Sequence, residues 1–271
     1  AWSIVLCSNK TLCYYLRLKR NEEIEVIQEP SFFDYLKAEK EYEVNYYEID
    51  YNEKLLITGL VNYFGDIATR HFENVGGSLT YSKEKGMAWV LYKWNIDINR
   101  YPKYGQKIKV RTNAYSFRKF YGYRTFEAFD EKDNIIARAN SIWLLIDTNK
   151  RRILRIGEDM YKIFGLTKKD NKPLFIKKVK LPEKFSIEKS FNVRYSDIDT
   201  NRHVNNVKYI DWILETIPLD IILKYTIKHI NITYEKEALY GEKIKIYTDL
   251  QKKDNSYISL HKIVDQEEKE L

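Results

Sequence analysis

The sequence predicts an α+β protein built twice: two tandem units, each an antiparallel sheet wrapped around a central helix. Three observations carry this. The segment YGQKIKV (104–110) recurs as YGEKIKI (240–246). EIDYNEK (48–54) recurs as DIDTNRH (197–203), setting Asp50 over Asp199 and Asn52 over Asn201. After each of the latter comes an apolar helical run, then a series of alternating strands, the pattern of one buried helix and one antiparallel sheet.

The elements follow in order. Residues 1–41 have no counterpart in the repeat and receive no role. The first unit, 42–156, opens with the helical pattern Leu55, Leu56, Leu60, Val61, Phe64 and Ile67. Four strands follow it: AWVLYKWNIDI, KIKVRTNAYSF, YGYRTFEAF and IIARANSIWLLI. Their charged and apolar residues alternate with the period of a half-buried strand. A Lys-rich connector, 157–184, is punctuated by Pro173 and Pro182. The second unit, 185–271, repeats the scheme with Val204, Val207, Ile210, Ile213, Leu214 and Ile217 on a helix closed by Pro218. Its strands are KHINITYEK, KIKIYTDL and YISLHKIV. The register of the two glycine turns sets Asp265 over Asp130. The first unit then continues into IIARANSIWLLI, whereas the second stops at Leu271. The expectation is a second unit without its last strand and with an uncovered sheet edge.

Composition narrows the function classes. With 44% hydrophobic residues the chain can bury a core. The formal charge of +7 is spread through strand patterns, as on a solvated surface, and no nucleic-acid motif accompanies it. Cys7 and Cys13 are too few for a disulfide framework and suit a reducing cytosol. No apolar run is long enough for a membrane span. The N-terminus lacks a signal-peptide pattern and a methionine, as a processed or partial chain would. There is no GxSxG elbow and no GxxxxGK loop, and the four histidines show no zinc spacing with cysteine. No metal and no cofactor is expected.

The stretch YSDIDTNRHVNNVKYIDW (195–212) crowds short polar side chains before an apolar run. Such residues cap helices and make turns, or they are reactive groups held at a helix start. The residues themselves leave both readings open.

SDIDTNRHVNNVKYIDWILE closely resembles the signature of the acyl–acyl-carrier-protein thioesterases of plant and bacterial fatty-acid synthesis. Asn99-Arg100-Tyr101-Pro102 with Tyr104-Gly105 resembles the same family, as does Ala139-Asn140-Ser141-Ile142-Trp143 followed by Asn149-Lys150-Arg151-Arg152. The resemblance runs from Tyr42 to the C-terminus. It implies a tandem double hotdog fold and hydrolysis of fatty acyl–carrier-protein thioesters, releasing free fatty acid. It also implies the catalytic residues Asp199, Asn201 and His203, with Glu237 on a following strand. Some relatives carry a cysteine after that glutamate. Here Ala238 stands there, which removes a cysteine mechanism.

On that reading Glu237 serves as general base on water or attacks directly through an anhydride. His203 exchanges protons or orients the water, Asn201 positions water or carbonyl, and Asp199 orients its neighbours. The N–H groups near Val204–Asn206 polarise the carbonyl. The bland alternatives are helix capping by Asp199 and Asn201, a structural His203 and a surface Glu237. The first repeat keeps Asp50 and Asn52, where capping is preferred. It has Lys54 at the place of His203 and Tyr101 at that of Glu237, so one active site is expected, in the second unit.

The implied partner is an acidic acyl carrier protein. Candidate docking cations are Lys168, Lys169, Lys172, Lys177, Lys178 and Lys180, or Arg151 and Arg152. The alternatives are an acyl-CoA thioesterase and a non-catalytic acyl-binding hotdog. A monomer and a homodimer are both compatible with two hotdogs in one chain.

Overall fold

The computed structural model describes residues 16–20 and Leu79 as backbone and, with side chains, residues 37–78, 80–177, 180–269 and 271. Cys7, Cys13 and Lys178 lie outside the described residues. The described residues divide into two compact units: 37–91 with 99–175, and 16–20 with 92–98, 176–177, 180–269 and 271.

The elements are β1 Leu16–Arg20, β2 Lys37–Glu43, α1 Ile57–Asn74, α2 Leu79–Glu84, β3 Met87–Ile98, β4 Lys107–Arg118, β5 Tyr121–Phe129, β6 Ile135–Asp147, β7 Arg152–Ile153 and α3 Glu158–Ile163. Then come β8 Ile187–Asn192, α4 Asn206–Leu214, α5 Leu219–Lys224, β9 Tyr225–Thr233, β10 Lys243–Lys253 and β11 Ser256–Val264.

In the unit holding α1, the strands run in the order β2-β4-β5-β6, with β7 paired to β6; β3 is divided, its residues up to Leu91 in this unit and Tyr92–Ile98 in the other. The β4–β5 and β5–β6 pairs are antiparallel, and β4 alternates buried and open residues as its sequence requires. The helix α1 lies against β2 and β4 and buries Leu60, Val61, Phe64 and Ile67. Phe64 stacks obliquely on Phe126 of β5, with ring centroids 5.1 Å apart. Full burial of such a side chain is worth roughly 1.5–3 kcal/mol. The stretch from residue 157, read from sequence as connector, begins with packed structure. Met160, Phe164 and Leu166 join Ala114, Phe117 and Leu145 in one buried cluster.

The unit holding α4 has the order β8-β10-β11-β1-β9, with β9 also pairing Lys93–Asp97 of β3. The strand expected to be missing therefore has an occupant. β1 pairs antiparallel with β11 (Leu16 opposite Ser259) and with β9 (Arg17 opposite His229), in the slot that β6 fills in the other unit. The expected uncovered edge is corrected: backbone donors and acceptors there are met by residues 16–20, a segment with no repeat signal to announce it.

The matching turns bear out the repeat register. Asp130 Oδ1 accepts from the Lys132 and Asn134 N–H groups at 2.8 and 2.9 Å. Asp265 Oδ1 accepts from Glu267 and Lys269, both at 2.9 Å. Gly105 and Gly241 hold φ of 73° and 82°, the left-handed region in which glycine alone is unstrained. The second helix differs from expectation. It is α4, of nine residues, ending at Leu214, and Pro218 instead introduces the separate short helix α5.

Candidate active site

A 3-10 turn, Tyr195–Asp197, begins the polar stretch. Asp197 is fully buried, and its carboxylate accepts from the Arg194 backbone N–H at 2.8 Å and from the Arg194 guanidinium at 3.0 and 2.9 Å. Burial works against its charge, but the Arg194 hydrogen bonds and charge prevail and hold the carboxyl below its ordinary range. The Asp197 carbonyl in turn accepts from the Asn205 N–H at 2.8 Å, which ties the turn to the start of α4.

Asp199 makes the next turn. Its Oδ1 accepts from the N–H groups of Asn201 (2.8 Å) and His203 (3.4 Å), and its own N–H donates to the His203 carbonyl at 2.8 Å. Arg202 completes the turn in the left-handed region, with φ of 65°. Asn201 donates from Nδ2 to Asp199 Oδ2 at 3.3 Å and is otherwise exposed. Neither residue caps α4. That role belongs to Asn205, whose Oδ1 accepts from the Val207 N–H at 3.0 Å.

The turn delivers His203 to Glu237. His203 pairs antiparallel with Leu239, and the Val204 N–H donates to the Ala238 carbonyl at 2.9 Å. Between these two anchors, His203 Nε2 and Glu237 Oε2 approach to 3.2 Å, with side chains 19% and 24% exposed. Both are sheltered yet reachable by a small reactant. Glu237 was expected on a strand. It lies instead in the irregular stretch after β9 ends at Thr233, freed from the strand's side-chain alternation.

Two of the three backbone N–H groups expected to polarise a carbonyl are already used: Val204 by Ala238 and Asn205 by Asp197. Asn206, the first residue of α4, carries the third.

The first repeat builds the same frame. Asp50 Oδ1 accepts from the N–H groups of Asn52 (2.8 Å) and Lys54 (2.9 Å), Glu53 has φ of 59°, and Lys54 pairs with Lys103. Here the frame presents Lys54 and Tyr101. The Tyr101 hydroxyl is buried with no hydrogen-bond partner among the described residues, and burial followed by the Asp50 charge pushes its phenol well above the usual value. A buried phenol with a raised pKa is no substitute for a carboxylate base.

Sequence reasoning missed Arg194, Asp197 and Asn205, which position the site. The Arg-x-x-Asp spacing before the turn was the available signal, since a side chain three residues on can reach back to the N-cap backbone. The candidate docking cations are divided between the two units. Lys168 and Lys172 belong to the unit of α1, Lys177 and Lys180 to that of α4, and Arg152 lies 4.0 Å from Asp147.

The fold and this pair define a double-hotdog protein with a histidine–glutamate site in its second unit. The acyl-ACP thioesterase N-terminal domain family matches residues 35–164, and the acyl-ACP thioesterase C-terminal domain family matches 180–271. The chain belongs to the acyl-ACP thioesterase family.

Among its relatives is an acyl-[acyl-carrier-protein] hydrolase of Cuphea viscosissima, 25% identical over 81% of this chain and 56% of that one. An oleoyl-acyl carrier protein thioesterase of Arabidopsis thaliana is 30% identical over 72% of this chain and 58% of that one. The chain thus spans little more than half the length of these curated relatives. In structure it is similar to the 12:0-ACP thioesterase of Umbellularia californica (TM-score 0.76, 21% identity, 87% of this chain and 91% of that one). It is likewise similar to an acyl-ACP thioesterase of Bacteroides thetaiotaomicron (TM-score 0.65, 22% identity, 85% of this chain and 98% of that one).

Proposed function

We propose that this protein hydrolyses the thioester of a fatty acyl chain carried on acyl carrier protein, releasing the free acid, with Asp199, Asn201, His203 and Glu237 as the working residues. The observation that carries the reading is the 3.2 Å approach of His203 Nε2 to Glu237 Oε2 in a half-sheltered site. Membership of the family supports it.

The chemistry balances with these groups alone. The Glu237 carboxylate takes a proton from water, and the oxygen attacks the thioester carbon. The C–S bond then breaks, and the sulfur leaves as thiol with the proton returned through His203. Direct attack by Glu237 gives an anhydride that water opens to the same products. Asp199 acts by fixing the turn that carries His203. On this reading Asn201, exposed and hydrogen-bonded to Asp199, orients water.

The scarcity of cysteine supports a reducing cytoplasmic setting, and the distribution of a labelled full chain between cell fractions tests it. The test of the reaction is thiol release from acyl-carrier-protein and acyl-CoA thioesters. Turnover that favours the carrier protein and is lost in Glu237→Gln and His203→Ala supports the reading. Preference for CoA would transfer the activity to acyl-CoA, and no turnover with intact acyl binding would make this an acyl-binding protein.

A further inference from the structure

The unit of α1 contains an open cleft of about 800 Å³ that does not include the histidine–glutamate pair. Arg118, Lys119, Arg155, Lys168 and Lys172 line it, against the single carboxylate of Glu158. Glu158 is already engaged by Lys168 at 2.7 Å. Elsewhere in the same unit cations are matched with acids: Lys40 with Asp66, Arg111 with Glu39, Arg138 with Glu127. Arg118, Lys119, Arg155 and Lys172 have no carboxylate within 4 Å among the described residues. The Glu158 hydrogen bond and charge hold the Lys168 ammonium above its ordinary pKa, and Arg155 opposes them as a like charge. Like charges gathered in a concavity repel one another, and the concavity focuses their field outward.

The cleft is also held in shape. The Phe117 N–H donates to the Asp170 carbonyl at 3.1 Å, and the Ile156 N–H donates to the Lys119 carbonyl at 2.8 Å. Ser116 Oγ donates to the Lys172 carbonyl, and Tyr161 to that of Phe117 at 3.3 Å. The hairpin between β4 and β5, the segment before α3 and the 168–173 loop are therefore pinned together. Fixed backbones carrying unmatched cations lower the ordering cost of binding an anionic surface.

We infer that this cleft is the docking face for the acidic protein that presents the acyl chain, with Arg118, Lys119, Arg155 and Lys172 taking carboxylates from its surface. The inference rests on the carrier-protein reading above. It replaces the connector as a whole with a defined cleft, in which three cations (Arg118, Lys119 and Arg155) lie outside the stretches first considered for docking. An open, cation-rimmed concavity without an unengaged acid suits a carboxylate-bearing helix or loop. Its aromatic floor is already committed, since Phe117 is stacked on Trp89 and edge-on to Tyr161.

The experiment titrates the full chain with an acyl carrier protein bearing a non-hydrolysable acyl-amide on its prosthetic arm. Arg118→Glu/Arg155→Glu and Lys172→Glu are compared with Lys177→Glu/Lys180→Glu, and acyl-pantetheine hydrolysis is followed in parallel. The expected result is that the cleft variants weaken binding by about tenfold or more and flatten its salt dependence, while the Lys177/Lys180 variant stays within about twofold. Cleft variants within twofold of the parent would overturn the inference, as would equal losses in the Lys177/Lys180 variant or a parent that binds no carrier. The two readings fail separately. A parent that binds carrier through the cleft but hydrolyses no thioester keeps the docking face and loses the thioesterase. A parent that hydrolyses carrier-linked thioester with KM indifferent to cleft charge does the reverse.

Discussion

Glu237 and His203 meet at 3.2 Å in one unit, and at the matching places of the other unit the chain carries Tyr101 and Lys54. The two copies share a frame and differ in what it presents. Glu237→Gln keeps the shape and removes the base, so kcat should fall by roughly 10²-fold or more. Lys54→Ala and Tyr101→Phe should leave kcat within about twofold. Tyr101→Phe should also leave stability unchanged or raise it, because it deletes a buried hydroxyl without a partner. Steady-state kinetics with urea denaturation on the four proteins checks both halves.

The paired turns separate folding from function. Asp50 and Asp199 each accept from two backbone N–H groups of their own turn. Asp50→Ala and Asp199→Ala should each cost about 1 kcal/mol of stability, the usual value of a lost local side-chain acceptor. Asp199→Ala alone should lower kcat, since His203 hangs on that turn. Equal kinetic losses in both would mean the turns act through stability only.

How far the sequence carries depends on whether a feature is local. The glycine turns at Gly105 and Gly241, the Asp turns and the strand alternation are set by residues within a few positions, and all could be read directly. The meeting of His203 with Glu237 depends on a pairing across many residues of intervening chain and came from family resemblance, not from spacing. β1 carries no repeat signal, because the slot it fills is created by other strands. The short helices α2, α3 and α5 have too few turns for a helical period to emerge. The Arg118–Lys172 cleft draws on three separated segments, so its charges look scattered along the chain.

A second histidine, away from the site, should set part of the acid sensitivity. His261 is fully buried, with Nδ1 2.7 Å from Thr248 Oγ1 and Nε2 2.7 Å from Ser259 Oγ. Burial pushes its pKa down to about 3. The unfolded chain takes up this proton near the ordinary histidine value of about 6.5, and the folded chain does so far lower. The stability from neutral His261 is therefore complete above about pH 6.5 and drains as pH falls toward 3, by at most about 1.4 kcal/mol per pH unit. His261→Gln should lower stability at pH 7 yet show a shallower loss between pH 6.5 and 4.5. Parallel slopes in urea titrations of the two proteins would exclude this role.

Arg124 raises the opposite problem, a buried cation. Its Nη1 lies 2.8 Å from His71 Nδ1 and donates to Thr112 Oγ1 at 3.1 Å, and burial pulls its pKa down to about 9. The guanidinium meets no carboxylate within 4 Å among the described residues, and Phe164 lies over it at 5.8 Å. A desolvated charge with no carboxylate beside it is costly, and an apolar side chain of similar length avoids that cost. Arg124→Met should therefore be neutral or stabilising by about 1 kcal/mol. Arg124→Ala should destabilise by about 2–4 kcal/mol, because it leaves beside Phe164 a cavity that methionine would fill. Thermal unfolding of the two variants distinguishes the cases: if Met costs as much as Ala, the buried charge itself is stabilising.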